Sequence, residues 1–345
     1  MLTYKYRIKD SNKIKVLKQM ASDTNFLWNH VNGHIRRRWK ESRFHTSPFD
    51  ANKFVVGASS VLSIASPTCQ AIAEECATRT KKAKKFVRFR TAKKGRNLGW
   101  IPFKAASFKF KDGEATYNKQ HFKVWYSRML PEDAKIKVGS FTEDSRGRWY
   151  LNITFEAESA KAPAPEGTEV ALDLGLKTVA TTSKGRKYER ENLTRKYQEK
   201  LAKAQKFNKK RIVKAVHSKI KNIRQDFNHK VSTELAKENR LVIVGDVDSS
   251  KLAKTNMAKS TYDAGWYQLK TFLKYKCQSR SGVFLEVNER FSSVTCSNCH
   301  QKTGPSGLSD LGIREWQCSH CGEVHDRDVN AAVNILRFGH ESLRA

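Results

Sequence analysis

The sequence predicts a two-part α/β chain. Its N-terminal half is a β domain interrupted by helices, and its C-terminal half is mixed α/β with a small metal ribbon set into it. Three observations carry this expectation. Residues 106–156 alternate apolar and polar side chains in short runs divided by turn signals. Apolar strands near Glu169–Ala180, Leu241–Val244 and Val283–Arg290 are separated by helical stretches. Cys296-Ser-Asn-Cys299 and Cys318-Ser-His-Cys321 stand eighteen residues apart near the C-terminus.

The chain opens on a strand, where Leu2, Tyr4, Tyr6 and Ile8 alternate with polar residues. In the helix that follows, Leu27, Trp28, Val31, Ile35 and Trp39 share one face, with Arg36, Arg37, Arg38 and Lys40 beside it. A second helix starts at Ser66-Pro67, with Ser66 read as the N-cap. It runs through Ile72 and Cys76 into Lys81, Lys82, Lys84 and Lys85, and then Phe86, Arg88, Phe89 and Arg90. Aromatics interleaved with cations suit phosphates and exposed bases; a solvated helix end is the competing reading.

The β segment then unfolds in order. Phe108 and Phe110 lead to an Asp112-Gly113 turn, followed by Phe122, Val124 and Tyr126, then Ile136 and Val138. A Ser145-Arg146-Gly147 turn precedes Trp149, Leu151, Ile153 and Phe155. Strands at this spacing predict a small barrel. Residues 160–167, rich in Ala and Pro, read as a linker between 1–159 and 168–345.

Beyond the linker, Asp173 lies in an apolar strand ahead of Gly175. A carboxylate there is costly unless it is paired or binds a metal; a turn aspartate is the plainer alternative. Residues 193–238 predict a basic helical hairpin with an inner face of Leu201, Phe207, Ile212, Val216, Ile220, Ile223 and Phe227. Lys209, Lys210, Arg211 and Arg224 belong to its cationic face, and acidic partners for so many cations are missing, which favours a nucleic-acid track. The strand Leu241–Val244 ends at Gly245-Asp246, a helix surrounds Trp266 and Leu269, and the last strand carries Glu286 and Glu289. Acids at the ends of strands in this order suit an RNase H-like core.

Paired CxxC turns separated by about 15–20 residues present four thiolates to one zinc ion. Cys69, Cys76 and Cys277 are scattered, so a disulfide framework is not indicated and a reducing cytosol fits. With four cysteines filling the shell, His300, His320 and His325 read as surface or nucleic-acid contacts. The 66 Lys and Arg against 34 Asp and Glu give a formal net charge of +32, which points to a polyanionic partner. No apolar run is long enough to span a bilayer, and no lipidation motif is present, so a membrane partner is not expected.

Asp173-Leu-Gly175, the Asn222…Arg224-Gln-Asp226-Phe227-Asn-His229-Lys230 helix, the CxxC pair and Asp326-Arg327-Asp328-Val-Asn330-Ala-Ala together resemble the TnpB (OrfB) family of transposon-encoded proteins. That family is related to type V CRISPR effectors. The resemblance spans nearly the whole chain and is strongest from about residue 167 to 337. It implies an RNA-guided DNA endonuclease of the prokaryotic cytosol, associated with the nucleoid. A wedge barrel carrying a helical recognition insert (about 20–95) would hold guide RNA from the transposon end and sense a short motif flanking the double-stranded target. A RuvC-type RNase H-like domain would carry an inserted zinc ribbon, residues 292–324. By motif, Asp173 is the first and Asp328 the third catalytic carboxylate around two Mg²⁺ ions, with Asp326 as a cap or supporting group.

One departure stands out. Where the family carries Glu before Asp, this chain reads Gly245-Asp246. Glu289 on the neighbouring strand is the preferred replacement. Glu286 lies mid-strand, and Asp246 would have to point inward against strand alternation. The competing readings are a nuclease-impaired guided DNA binder, acting as a repressor, and a transposase that performs strand transfer itself; no tyrosine or serine recombinase signature supports the latter.

Overall fold

The computed structural model describes residues 1–9, 13–91, 98–158, 165, 167–247, 252, 258–306 and 309–344. Most of the expected linker (160–164 and 166) and the end of the helical insert (92–95) lie outside these residues. The chain forms two compact units, Met1–Ser159 and Ala160–Ala345.

The first unit begins with β1 (Leu2–Ile8), followed by α1 (Lys13–Ser42), α2 (Pro48–Asn52), α3 (Ala58–Val61) and α4 (Ser66–Ala83). Ala65, not Ser66, is the N-cap of α4; Ser66 and Pro67 are already in its first turn, where proline's missing N–H costs nothing. Then come β2 (Trp100–Lys104), β3 (Phe108–Lys111), β4 (Glu114–Tyr117), β5 (Gln120–Trp125), β6 (Lys135–Glu143) and β7 (Trp149–Glu156). They form one antiparallel sheet in the order β2-β6-β7-β1-β5-β4-β3.

This is a half-barrel rather than the closed barrel the sequence predicts. Its edge strands β2 and β3 are not hydrogen-bonded to each other among the described residues. They meet through side chains instead, with Phe103 stacked on Phe108 at 4.0 Å and Phe141, Tyr117 and Phe122 filling the concave side. Pro102 explains part of this, because a proline is tolerated in an edge strand such as β2.

The second unit holds β8 (Glu169–Asp173), β9 (Thr178–Thr182), β10 (Lys187–Glu189), α5 (Leu193–Lys196), α6 (Gln198–Lys206), α7 (Lys210–Glu238), β11 (Leu241–Gly245), α8 (Ala258–Ala264), α9 (Trp266–Ser279), β12 (Val283–Val287), the hairpin β13 (Glu315–Gln317) and β14 (Val324–Asp326), and α10 (Arg327–Arg344). The main sheet runs β10-β9-β8-β11-β12, with β8, β11 and β12 parallel and β9 and β10 antiparallel.

Strand alternation sorts the sheet into two faces. Val170, Leu172, Val242 and Val244 join the cluster of Val231, Leu235, Trp266, Leu269 and Leu273 on α7 and α9. Ala171, Ile243 and Val287 instead meet Ile335 of α10. At Gly339 the helix comes so close that a Cβ would sit 2.2 Å from Ile243 Cδ1, so any side chain there would force the buried Ile243 to shift. By the same alternation, Asp173 and Gly245 belong to the face covered by α10.

Candidate functional site

Three carboxylates lie at the carboxyl ends of β8, β11 and β12, where Glu289 and Asp328 are within electrostatic reach of Asp173; among the described residues only the four cysteines, and not these acids, bring their ligand atoms into one tight cluster. Asp173 is the last residue of β8, Glu289 follows β12 by two residues, and Asp328 lies in the first turn of α10. Asp328 shares a helical stripe with Ala331, Ala332, Ile335 and Gly339, which turns it toward the strand ends. Burial pushes the Asp173 carboxyl up to about 7, repulsion from Glu289 and Asp328 adds to this, and Arg327 and Arg314 partly offset it. Burial likewise pushes Glu289 up to about 7, reinforced by Asp246 and opposed by Lys270 and the Val247 N–H. Acids that share a site this way repel one another until a cation joins them.

Gly245 explains how Glu289 enters. A Cβ at residue 245 would stand 2.0 Å from Glu289 Oε2 and 3.0 Å from its Cβ. The space left by the missing side chain is therefore filled by a carboxylate from the next strand. Oε2 is buried there and has no hydrogen-bond partner. The two other acids weighed at this point are placed differently. Asp246 is exposed, and its Oδ1 accepts from the Glu289 N–H at 3.3 Å. Glu286 is exposed and paired with Lys270.

Asp326 is a helix cap. Its Oδ1 accepts from the Asp328 and Val329 N–H groups, both at 3.0 Å, and its Oδ2 pairs with Lys187 at 2.6 Å. Arg314 donates to Asp328 Oδ1 at 3.1 Å, and its carbonyl accepts from the Arg327 N–H across the β13–β14 hairpin. Sequence reasoning missed Arg314; its only signal is a cation next to a strand that pairs with the acidic segment.

The four cysteines form a second cluster, fit to hold a structural metal. All their Sγ atoms lie within 4.8 Å of one another, with Cys296–Cys321 at 3.7 Å and Cys299–Cys318 at 3.6 Å. Tetrahedral zinc–sulfur bonds of about 2.3 Å set sulfur separations of about 3.8 Å, so the cluster has the right dimensions. The Thr303 hydroxyl, 3.1 Å from Cys318 Sγ, is the main cause holding that thiol well below its ordinary value. His325 is not a surface residue. It is buried, with Nε2 at 3.0 Å from Cys296 Sγ and its ring against Trp316. The period-2 position of His325 in β14, facing Trp316 across the hairpin, forces it inward.

The basic residues fall into two sets, one on each unit. Lys81, Lys82, Lys84, Lys85 and Arg88 are exposed at and beyond the end of α4. Arg90 is engaged within the protein: Nε donates to Asn25 Oδ1 at 2.5 Å, Nη2 donates to the Leu98 carbonyl, and the guanidinium packs over Trp28 and Trp100. Residues 86–90 are strapped along α1, whose Trp28, Asn29, Asn32 and Arg36 side chains donate to the carbonyls of Arg88, Arg90 and Val87. In the second unit Lys209, Lys210 and Arg211 are exposed at the start of α7, whereas Arg224 donates to the Tyr262 carbonyl. The described residues include no helix long and apolar enough to cross a membrane.

Comparison with known proteins places the chain. A family profile described as "Probable transposase" (OrfB of IS605) matches residues 152–256, and one described as "Cas12f1-like, TNB domain" matches residues 266–335. A protein of Streptomyces pristinaespiralis is 34% identical over 274 residues, covering 75% of this chain and 66% of that protein. The chain belongs to the TnpB (OrfB) family. The Streptomyces relative bears the provisional name RNA-guided DNA endonuclease, as does InsQ of Escherichia coli K12, 33% identical over 227 residues with 58% of this chain and 56% of InsQ covered. The chain thus spans just under two thirds and just over half the length of these two relatives. Among solved structures, the Cas12f1 chain of a Cas12f1–sgRNA–target DNA complex superposes with a TM-score of 0.63 at 12% identity, over 94% of this chain and 83% of that one. This TnpB-family chain therefore has a Cas12f1-like α/β fold.

Proposed function

We propose that the chain is an RNA-guided DNA endonuclease that hydrolyses phosphodiester bonds at Asp173, Glu289 and Asp328, in a RuvC-type, RNase H-like unit. The observation that carries this reading is the Glu289 carboxylate in the space beside Gly245, on the face that also receives Asp173 and Asp328. An RNase H-like site needs an acid at the end of the strand next to β8, and the neighbouring strand supplies one. Bound Mg²⁺ ions would provide an activated water and a counter-charge for the leaving oxygen.

The protein's own residues prepare that site. Asp173, Glu289 and Asp328 offer hard oxygen ligands, which suit magnesium. Burial, with repulsion from Glu289 and Asp328 on Asp173 and from Asp246 on Glu289, leaves both acids short of negative charge near neutrality, so ligation releases protons and strengthens as pH rises. The Asp326 cap fixes the first turn of α10, and with it the Asp328 backbone. The four cysteines would hold one structural zinc ion, with His325 packed behind Cys296.

The exposed cations, Lys81 to Arg88 on one unit and Lys209 to Arg211 on the other, fit guide RNA and target DNA, whose phosphates they would neutralise. The names of the relatives, and the complex in which Cas12f1 was solved, support the same partners. The test is cleavage of a guide-matched plasmid library with randomised flanks, using protein co-expressed with its transposon-end RNA and supplied with Mg²⁺. Cutting by wild type that is lost in Asp173→Ala, Glu289→Ala and Asp328→Ala is expected. Guided binding by a wild type that never cuts would overturn the nuclease reading in favour of a binder.

A further inference from the structure

The loop that delivers Glu289 runs on without a break into the first cysteine turn, and two asparagines of α10 hold it. Asn330 and Asn334 are one helical turn apart on the same face and are 2% and 1% exposed. Asn330 Nδ2 donates to the carbonyls of Ser292 (3.3 Å) and Thr295 (2.8 Å). Asn334 Nδ2 donates to the same two carbonyls at 2.9 and 2.6 Å. Asn330 makes one bond more: its Oδ1 accepts from the Ser297 N–H at 2.8 Å, inside the Cys296–Cys299 turn.

These bonds have a specific cost to offset. Phe291, two residues after Glu289, sits in the left-handed region at φ +67°, a strained conformation for a bulky side chain. Such strain persists only where the surroundings over-determine it, and the next carbonyl along, that of Ser292, is one of the two that the asparagines grip. Buried side-chain amides are expensive to place unless they are hydrogen-bonded, so their convergence on one loop is a directed arrangement.

We propose that Asn330 is a positioning residue that ties three things to one helix: the Glu289 loop, the cysteine turn and, two residues before it on α10, Asp328. The carboxamide sets the spacing between Glu289 and Asp328, and transmits to it the position of the Cys296–Cys299 turn. This rests on the endonuclease reading for its consequence, but not for its geometry.

The test uses the full chain with two readouts. The first is Mn²⁺ binding without nucleic acid, followed by the electron paramagnetic resonance of free Mn²⁺; the second is zinc content by elemental analysis. In Asn330→Ala the half-saturating Mn²⁺ concentration should rise about tenfold or more, the scale on which supporting residues affect metal sites. Zinc should stay at wild-type stoichiometry, and guided cleavage should fall in parallel through kcat, not KM. If Asn330→Ala fails to fold, Asn330→Asp decides by the same titration, since it keeps the shape and the acceptor for Ser297 while losing the donor to Thr295. Unchanged Mn²⁺ affinity in a folded variant would overturn the proposal, as would lowered stability with no change in affinity. Wild type that binds Mn²⁺ yet never cuts would defeat the endonuclease reading alone, and the Mn²⁺ titration would still decide the role of Asn330.

Discussion

Replacing Gly245 by alanine adds one methyl group and should abolish cleavage while leaving the protein as stable or more so. The added Cβ would lie 2.0 Å from Glu289 Oε2, 3.0 Å from its Cβ and 3.1 Å from its Cδ, and a real Cβ contact does not fall below 3.0 Å. The methyl group and the carboxylate cannot share the space, so the carboxylate must swing out. Gly245 has no positive φ, so alanine fits the backbone and gains about 0.4–1 kcal/mol by restricting the unfolded chain. Expelling the carboxylate also relieves the desolvation of its unpaired Oε2, which offsets the loss of the Val247 N–H bond to the same group. If Glu289 is one of the three acids that would hold the metal, losing it should slow cleavage by about three orders of magnitude or more, roughly 4 kcal/mol of barrier. The assay is single-turnover plasmid cleavage by wild type, Gly245→Ala, Glu289→Ala and the double variant, with thermal melts beside it. If Gly245 acts only by admitting Glu289, the double variant will be no slower than either single, a fully non-additive cycle. Gly245→Ala cutting at the wild-type rate while Glu289→Ala is dead would refute the reasoning, because Glu289 would then act from outside the Gly245 space.

Other perturbations test separate parts of the site. Asp173 and Glu289 are both raised to about 7, so the metal-free native state binds more protons than the unfolded chain between about pH 4 and 7, and stability falls as pH rises through that window. Melts of metal-free protein should therefore lose stability from about pH 5.5 to 8 more steeply in wild type than in Glu289→Gln, and equal slopes would contradict the assignment. Purified protein should carry zinc at one ion per chain, and Cys318→Ser should lose it; elemental analysis that finds no zinc in gently purified wild type would remove the ribbon's metal. Reversing Lys209, Lys210 and Arg211 to Glu should weaken RNA binding and flatten its salt dependence in filter-binding titrations, without changing the melting temperature. Arg90→Ala should do the opposite, lowering stability by about 1–3 kcal/mol, because its guanidinium bonds to Asn25 and the Leu98 carbonyl.

Period-2 patterning made the sheets legible. Trp149, Leu151, Ile153 and Phe155 alternate in the sequence and are all buried in β7, and Asp112-Gly113 does turn the chain between β3 and β4 with positive φ at both residues. Whether those strands close on themselves was not legible, because closure depends on how the edges meet. Here Phe103 and Phe108 meet as stacked rings rather than as a hydrogen-bonded ladder. The strap of residues 86–90 escaped for a related reason: its partners are side chains of α1, some sixty positions away for Trp28 and Asn29, and no local period announces them.

The site divides along the same line. Asp173 and the four cysteines announce themselves locally, one as a charge inside an apolar strand, the others by spacing. A missing acid is harder to read, since glycine at residue 245 carries no sign of what fills its place. Its complement is forty-four positions further on, and only the parallel register of Gly245 with Val287 brings the two ends together. That register also tells the candidates apart. Glu286 lies opposite Val244, whose side chain belongs to the α7 and α9 face, and is taken up by Lys270. Glu289 lies past the strand's end, where alternation no longer binds it and the loop can turn its carboxylate back under β11. What makes that turn reproducible is the pair Asn330 and Asn334. In sequence they are two of many polar residues in α10, which a solvated face would explain equally well; burial to 2% and 1% is what distinguishes a clamp from a solvated stripe.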